Sequence, residues 1–332
     1  MWYYKVGSEP IAISSRVRIA RNISKYKFPH MMTDKEANEL VQDVSNSVAN
    51  LNEAKLLKLK DIDDITLNSL VERHLVSKEF ISNINNRAAI LNNDCTLSIM
   101  VNEEDHLRIQ GFSSGSDIKQ AYQKAKEAEE KIGETLKYAY HDKFGYLTAC
   151  PTNVGTGIRV SVMLHLPALT KLGYMSKLLS DAGTFGVAIR GMYGENTAAR
   201  GHIYQISNQK TMGLTDEEII SNVEKIVKSI ITQEKKARAI ISQDKVYFED
   251  KVMRALGTLK YARKMDTKEA EQNISLVRLG IERNIIKDID IDKLQKISVN
   301  IYPNMLKLEL KKDMDETTRD EARAKYIREE LK

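Results

Sequence analysis

The sequence has 332 residues, of which 42% are hydrophobic and 29% are charged, and its formal net charge is +5. This is the composition of an ordinary globular protein with ample core, and the modest charge is only weak support for nucleic-acid binding. No stretch has the apolar length of a membrane span, and the N-terminus lacks the apolar run of a signal peptide. Two cysteines, Cys95 and Cys150, are too few for a disulfide framework. We therefore predict a cytoplasmic protein without membrane contact.

The first motif is Ser14-Ser-Arg-Val-Arg-Ile-Ala-Arg21, in which apolar and basic residues alternate as in a β-strand. In an extended chain, Val17 and Ile19 face one way and Arg16 and Arg18 the other. Two forked guanidinium groups on one face suit an anion such as a phosphate chain. The alternative is an amphipathic edge strand with solvated arginines.

Two helices are predicted next. Thr33 and Glu36 form a capping box for a helix from Asp34 to Leu51. A shorter helical run from Leu67 to Phe80 contains His74. A lone histidine is more often structural than functional, so this residue alone indicates no site.

An acidic segment then separates two predicted strands, Thr96–Val101 and Leu107–Phe112. It contains Glu103, Glu104 and Asp105, with a histidine after them and Arg108 at the start of the second strand. A tight hairpin would favour Asn-Gly or Asp-Gly, and crowding of ionisable groups is costly. The segment is either a solvated acidic loop or part of a functional site.

A long amphipathic helix, from Ser116 to Ala139, is expected to cover one face of a sheet. Cys150 follows, before a Gly-Thr-Gly turn and a strand that carries Arg159 and Ser161. We expect the turn to offer free backbone N–H groups to an anion. Cys150 is either a small packed residue or a functional one.

The pattern then continues through residue 241 with a helix from about Pro167 to before Gly183 and a strand Thr184–Arg190. A loop follows that carries Gly191, Gly194 and Glu195, and then a strand from residue 202 to 207 and a helix from residue 215. Strands and covering helices alternate without βαβ repetition. The sequence therefore predicts an α+β fold, with a mainly antiparallel sheet covered by helices.

From about residue 245 the strand signals fade, and helical patterns follow one another with short breaks. Helix starts are predicted at Thr267 and at 290–292, and Pro303 is expected to interrupt the last part. We predict two domains, residues 1–245 and an all-helical domain of residues 246–332. Near its end, Arg319 and Arg323 lie one helical turn apart, with Asp320 adjacent. On their own they are as expected for a solvated helix face.

If the predicted strands share one sheet, five arginines converge beside the acidic segment and Cys150. They are Arg16, Arg18, Arg108, Arg159 and Arg190. Such a positive cluster suits the phosphates of a nucleoside triphosphate, and the chain has neither a Gly-x-x-x-x-Gly-Lys loop nor a kinase-type glycine loop. The carboxylates would then serve a cationic second substrate, for which a guanidine is the natural fit.

Four motifs in this order resemble the ATP:guanido phosphotransferase family, which includes the creatine and arginine kinases. They are Ser-Ser-Arg-Val-Arg, Asn-Glu-Glu-Asp-His-Leu-Arg, Cys-Pro-Thr-Asn-Val-Gly-Thr-Gly-Ile-Arg and Arg-Gly-Met-Tyr-Gly-Glu, within residues 14–210. The C-terminal Arg-Asp-Glu-Ala-Arg-Ala is similar to an element of the bacterial protein arginine kinases within that family. The resemblance implies transfer of the γ-phosphate of ATP, with Mg²⁺, to arginine side chains of proteins.

The resemblance also implies roles for single residues. The catalytic group would be Glu104, Glu195 and Cys150. The nucleotide would be bound by Ser15, Arg16, Val17, Arg18, His74, Arg108, Arg159, Ser161, Met163, Arg190, Gly191 and Gly194. An allosteric phosphoarginine site would be formed by Arg319, Asp320, Arg323 and Ala324. No protein-borne metal site is expected, and Cys95 is expected to be core.

Two departures from the metabolic members bear on the substrate. Only Met1–Ile13 precede the first motif, so we expect the guanidine site to be open to a protein chain. Met163 stands where those kinases usually have a histidine against the adenine. The alternatives are a small-molecule guanidino kinase and a non-catalytic adaptor that binds phosphoarginine; a nucleic-acid binder is more distant.

The resemblance implies partners as well. These are protein substrates with exposed arginines, a zinc-binding activator protein, a heat-shock repressor, a Clp-type unfoldase–protease, and further copies of the chain in a homo-oligomer.

Overall fold

A computed structural model describes residues 1–48, 54–191 and 200–332. The strands are β1 Ala12–Arg21, β2 Lys55–Lys58, β3 Ala88–Leu91, β4 Leu97–Val101, β5 Leu107–Ser114, β6 Tyr140–His141, β7 Gly145–Tyr146, β8 Ile158–His165, β9 Val187–Gly191 and β10 Ile203–Asn208. The helices of the first part are α1 Asp34–Ser47, α2 Asp64–Glu72, α3 Lys78–Ile81, α4 Ile118–Gly133, α5 Pro167–Lys171, α6 Met175–Ala182 and α7 Asp216–Ile241. The helices that follow are α8 Lys245–Tyr261, α9 Thr267–Glu282, α10 Ile291–Asn300, α11 Pro303–Leu310 and α12 Glu316–Glu330.

Eight of these strands form one sheet in the order β2-β3-β4-β5-β1-β8-β10-β9, and every neighbouring pair is antiparallel. A separate two-stranded hairpin is formed by β6 and β7. The α+β prediction is therefore confirmed. None of the helices in the described ranges combines the length and the apolar character that crossing a membrane requires.

The two faces of the large sheet differ because side chains alternate along each strand. One face carries Val17, Ile109, Val160 and similar apolar residues, which are fully buried. α4 and α7 pack on this face, and the apolar residues of β8 and β10 form one core cluster with those of α7. The other face carries the arginines of the sequence motifs. A large apolar core on one side thus supports a charged surface on the other.

Several predicted helices end earlier than expected. The run predicted from Leu67 to Phe80 is two helices, because the chain leaves α2 at Arg73 and His74 adopts a left-handed backbone with φ 60°. α4 ends at Gly133 instead of Ala139, and α1 ends at Ser47.

Other local predictions also need correction. The helix predicted from Pro167 is two short helices separated around Gly173, whose φ is 76°. Pro303 begins α11 instead of interrupting a helix, as its missing N–H allows at a first helical position. Cys95 is buried in the core as predicted, in the turn between β3 and β4.

The C-terminal helices dock on the sheet domain through buried polar contacts. Arg238 of α7 pairs with Glu234 at 2.8 Å and with Glu282 of α9, and Arg238 Nη2 donates to the carbonyl of His165 at 3.0 Å. The Glu72 carboxylate accepts from the backbone N–H groups of Asn304 and Met305, which caps α11. These contacts hold the two parts together, whereas the division at residue 245 remains a prediction.

We predict that Arg238→Met lowers the free energy of unfolding by about 3–5 kcal/mol, because it leaves the buried Glu234 carboxylate without its cation. Arg254→Met is the matched control, since Arg254 makes an exposed pair with Asp250 whose loss should cost under about 1 kcal/mol. Urea unfolding of both variants measures the difference. Equal midpoints for the two variants would contradict the role of Arg238.

Candidate active site

The register of the sheet brings the predicted arginines together. Arg18 of β1 lies opposite Arg159 of β8 and opposite Gln110 of β5. Arg16, two residues earlier, shares the same face and lies opposite Ser161. Arg108 of β5 lies on the same face, opposite Ala20, two residues beyond the pair of Arg18 and Gln110. Three adjacent strands therefore present guanidinium groups side by side.

This crowding is electrostatically unfavourable in the absence of an anion. Burial, followed by the charges of Arg159 and Arg108, lowers the pKa of Arg16 to about 10. Burial and the neighbouring arginines lower the pKa of Arg18 well below its usual value. The buried Nε of Arg18 has no hydrogen-bond partner among the described residues. The face is therefore prepared for a polyanionic ligand that supplies charge and acceptors together.

Arg108 is held by the two adjacent glutamates. The buried Glu103 forms an ion pair with one terminal nitrogen and accepts at 2.5 Å from the Ser77 hydroxyl. Glu104 accepts from the other terminal nitrogen at 2.7 Å, and its side chain is 43% exposed against 5% for Glu103. Of this pair, Glu104 is the carboxylate that a ligand arriving from solvent can reach.

The rest of the acidic segment is a structural junction and not a solvated loop. Asp105 and His106 are fully buried. Asp105 Oδ1 accepts from Asn22 Nδ2 at 2.7 Å and from the Ala149 N–H at 2.6 Å, one residue before Cys150. The loop that carries Glu104 is thus fixed directly to the loop that carries Cys150.

Asn22 is a positioning residue that the sequence analysis missed. Its Oδ1 accepts from the His106 N–H at 2.9 Å, and its Nδ2 also donates to the Leu147 carbonyl at 3.1 Å. The sequence feature that could have indicated this role is the position of Asn22 directly after the first arginine motif. An asparagine there can satisfy donors and acceptors of two loops at once.

Cys150 is partly buried, and its sulfur lies 3.0 Å from the Thr152 hydroxyl. The Gly-Thr-Gly turn that follows differs from the prediction. The Gly155 and Thr156 N–H groups already donate to the Tyr146 and Thr211 carbonyls, so these donors are not free for an anion. Glycine is needed in this turn for steric reasons instead, because a Cβ on Gly155 would lie 2.6 Å from the Thr211 oxygen.

The fifth arginine, Arg190, lies on β9 at the edge of the sheet, opposite Gln205. It lines a cavity of about 300 Å³ together with Arg159, Thr152 and Asn208. Gly191 ends β9. Gly194 and Glu195 lie outside the described residues.

At the other end of the arginine face, two adjoining cavities lie among several of the residues predicted to bind the nucleotide. Trp2, Ser14, His74 and Met163 line both cavities, which measure about 20 and 100 Å³. Arg16 and Ser161 line the smaller one. The larger one continues between the sheet and α9 and α10. Burial and the Arg16 charge lower the pKa of His74 to about 4, so its ring is neutral at pH 7.

Two residues predicted to bind the nucleotide do not face the arginines. Ser15 and Val17 alternate with Arg16 and Arg18, and both are fully buried on the opposite face. The Ser15 hydroxyl donates to the Gly115 carbonyl at 2.9 Å. The side chains of Ser15 and Val17 therefore cannot contact a ligand on the arginine face.

The predicted phosphoarginine residues lie on α12, away from the residues described above. Arg323 is fully buried, and its guanidinium donates to the carbonyls of Ile301 and Met265 and to Asp320 at 2.6 Å. Ala324 is also buried. This corrects the picture of an open helix face with two equivalent arginines. Arg319 Nε and Arg323 Nη2 are buried nitrogens without a hydrogen-bond partner in the described ranges.

Aligned arginines beside an exposed carboxylate and a thiol form an arrangement suited to transferring a phosphoryl group to a cationic acceptor. Residues 36–237 match the family described as "ATP:guanido phosphotransferase, C-terminal catalytic domain". Residues 245–332 match the "Protein-arginine kinase McsB C-terminal domain". The chain belongs to the ATP:guanido phosphotransferase family, and within that family to its protein-arginine kinase branch.

The similar proteins agree with this assignment. A protein-arginine kinase of Caldanaerobacter subterraneus subsp. tengcongensis is 41% identical over 97% of this chain and 97% of the relative. One of Clostridium novyi is 42% identical over 98% of this chain and 96% of the relative.

Solved structures of the family share the fold. A crystal structure of lombricine kinase has a TM-score of 0.63 at 26% identity and covers 70% of this chain and 69% of its own. A duplicated taurocyamine kinase from Schistosoma mansoni, with a TM-score of 0.62 at 23% identity, covers 78% of this chain and 38% of its own, and supports the fold alone.

The arginine face leads to a prediction about polyphosphate binding. We expect inorganic tripolyphosphate to raise the melting temperature, because a ligand of the folded state stabilises it. Arg18→Met should abolish this shift. It should also stabilise the ligand-free protein by about 0.5–2 kcal/mol, since a charged group with a lowered pKa is replaced by a neutral one.

Thermal unfolding with and without tripolyphosphate measures both effects. Arg254→Met is the control, because Arg254 lies on the exposed surface of α8. An unchanged tripolyphosphate shift in Arg18→Met would show that the anion binds elsewhere.

Proposed function

We propose that this protein is a kinase that transfers the γ-phosphate of ATP to arginine side chains of proteins. The observation that carries this proposal is the row of Arg16, Arg18 and Arg159 beside Glu104, whose carboxylate is open to solvent. The phosphates of ATP would lie along the arginines, and the acceptor guanidinium would approach the carboxylate.

The chemical step follows from the properties of the two groups. An arginine side chain stays protonated in proteins, so its nitrogen is a poor nucleophile until a proton is removed. Glu104 would orient the guanidinium and accept that proton. The nitrogen lone pair forms the N–P bond, and the bond between the γ-phosphorus and its bridging oxygen breaks, so that ADP leaves. Arg16, Arg18 and Arg159 would stabilise the charge on the transferred group.

Two further groups are assigned by motif resemblance. Glu195 would hold the acceptor guanidinium from the other side, and Gly194 would allow the backbone to approach the nucleotide. Cys150 would lie next to the acceptor nitrogen, and the short path from Glu104 through Asp105 to Ala149 supports that position.

The nucleotide base would occupy the cavity lined by His74, Met163 and Trp2. A thioether and an indole offer apolar contact in place of an imidazole against the ring. Mg²⁺ would be bound mainly by the phosphates and by water, as this ion prefers.

A protein acceptor is favoured over a free guanidino compound by the relatives and by the C-terminal domain they share with this chain. The test is incubation with ATP and casein, or with free arginine, followed by mass spectrometry without acid treatment. Phosphoarginine in casein supports the proposal. Turnover of free arginine alone would make the protein a small-molecule kinase, and no turnover would favour the adaptor.

The remaining partners are proposals that rest on the family resemblance. They are a zinc-binding activator, a heat-shock repressor as substrate, a Clp-type unfoldase–protease that receives the marked proteins, and self-association. A cytoplasmic location is part of the same proposal.

We predict that Glu104→Gln lowers the turnover number by ~10²–10⁴-fold, the usual effect of losing a general base. ATP affinity should change little, because the arginines hold the phosphates. Glu79→Gln, a change at an exposed carboxylate on α3, should leave both quantities unchanged. Steady-state kinetics with ATP and casein give the answer, and wild-type turnover in Glu104→Gln would exclude Glu104 as the base.

We also propose that Arg319, Asp320 and Arg323 form a regulatory phosphoarginine site with Ala324 in its wall. The two unpartnered guanidinium nitrogens would donate to the phosphoryl oxygens, while Asp320 would accept from the guanidinium of the ligand. Because Arg323 also bonds to the Ile301 and Met265 carbonyls, replacing it would disturb the fold. Arg319 is therefore the better residue to replace in a test of this site.

Calorimetric titration with phosphoarginine should show binding to the wild type that is weakened at least tenfold in Arg319→Ala. Lys325→Ala is the control, because Lys325 is an exposed cation on the same helix. If Arg319→Ala and the wild type bind phosphoarginine equally, the ligand site lies elsewhere.

A further inference from the structure

The small hairpin formed by β6 and β7 stands beside the catalytic carboxylate loop and is not used by the mechanism above. Its turn residues 140–144 are all exposed. Two of them are large aromatic residues, Tyr140 at 58% and Phe144 at 44% exposure. A single exposed aromatic residue needs no explanation, but two in five residues at the edge of a reaction site are unusual.

The base of the hairpin is rigidly anchored. The buried Arg21 guanidinium lies 3.4 Å from the centre of the Tyr146 ring and pairs with Glu129 at 2.5 Å. The Tyr146 N–H donates to the Gly155 carbonyl at 2.8 Å. A cation stacked on an aromatic ring in a buried pair restricts the hairpin to one position. The exposed aromatic side chains are therefore presented by a fixed element.

The anchoring also fixes the hairpin relative to Glu104. Asn22 accepts through its backbone carbonyl from the Ala139 N–H at 2.7 Å and donates through its side chain to the Leu147 carbonyl at 3.1 Å. Both ends of the hairpin are thereby held by the residue that also binds Asp105. The hairpin leads directly into the segment that carries Cys150.

We propose that this hairpin is the docking surface for the acceptor polypeptide, and that it binds an extended segment with an apolar side chain within about four residues of the target arginine. The inference rests on the proposed function. An arginine side chain reaches only roughly 7 Å from its Cα by standard bond lengths, so the acceptor backbone must run close to Glu104. The hairpin adjoins that position, and Tyr140 and Phe144 offer aromatic area with little conformational freedom to lose.

The exposed aromatic residues of the hairpin belong to two ring pairs. The His141 and Phe144 rings lie 4.8 Å apart, and Tyr140 packs edge-on against Tyr146 at 5.2 Å. Lys143 lies 5.6 Å from the centre of the Phe144 ring. Each exposed aromatic side chain is therefore held by contact with a neighbouring ring.

The test compares acceptors that differ only beside the arginine. One peptide series carries a single leucine at each position within four residues of one arginine, a second carries serine at those positions, and N-acetylarginine amide is the small acceptor. Tyr140→Ala/Phe144→Ala is compared with Tyr261→Ala, which removes an aromatic residue of 76% exposure from the end of α8.

We expect the double variant to lose about 5- to 30-fold in kcat/KM on the best leucine peptide, as truncation of interface aromatics commonly costs. Its kcat/KM on the serine peptides and on N-acetylarginine amide should stay at the wild-type level, as should its KM for ATP. Tyr261→Ala should match the wild type throughout. An equal loss on every acceptor, or no loss on any leucine peptide, would overturn the docking role.

A second measurement does not depend on the variants. A peptide with benzoylphenylalanine at the best leucine position should cross-link, on irradiation with the wild-type protein, to residues 140–146. Cross-links confined to other segments would overturn the inference. If the wild type phosphorylates no arginine in any protein or peptide, the proposed function fails instead, and the two failures are distinguishable.

Discussion

Mutual repulsion among guanidinium groups on one face of the sheet is the constraint on which the rest of this structure depends. The pairing of β1 with β5 and β8 fixes Arg18 directly opposite Arg159. Antiparallel pairs bring facing side chains within about 5.5 Å of one another, so the charges cannot move far apart. The arrangement is stable only because the opposite face belongs to a large apolar core and because neighbouring carboxylates neutralise part of the charge. The unneutralised part is what a polyphosphate can bind.

The two adjacent glutamates interact differently with the crowded arginines. Glu103 is buried, binds Arg108 and accepts from Ser77, so its negative charge is used to stabilise the folded face. Glu104 shares Arg108 but is open to solvent, so an arriving guanidinium can compete for it. Asp105 then fixes the loop to the Cys150 segment. Three successive acidic residues thus differ in function because they differ in burial and partners, and not in chemistry.

The sequence predicted those features that follow from the two-residue period of a strand. Alternation in the first motif was enough to place Arg16 and Arg18 on one face and Val17 on the other. The features it missed depend on contacts between segments that are distant in the chain. The left-handed turn at His74, the bonded N–H groups of Gly155 and Thr156, and the buried state of Arg323 have no local periodicity that indicates them. Asn22 was missed for the same reason, since its partners lie more than 80 residues away.

The cavity next to His74 is where the C-terminal helices meet the arginine face of the sheet. Its walls come from both parts of the chain, with Met163 on β8 and Ile301 just after α10. The Ile301 carbonyl accepts from Arg323, so one residue lines the cavity and also binds the α12 arginine. A ligand that changed the position of Arg323 would act on a wall of this cavity, and by linkage a ligand in the cavity would act equally on the first ligand. The hydrogen bonds of Glu72 with α11 provide a second connection, because Glu72 lies two residues before His74. Residues 1–245 alone would lack the part of this wall that α9 and α10 supply.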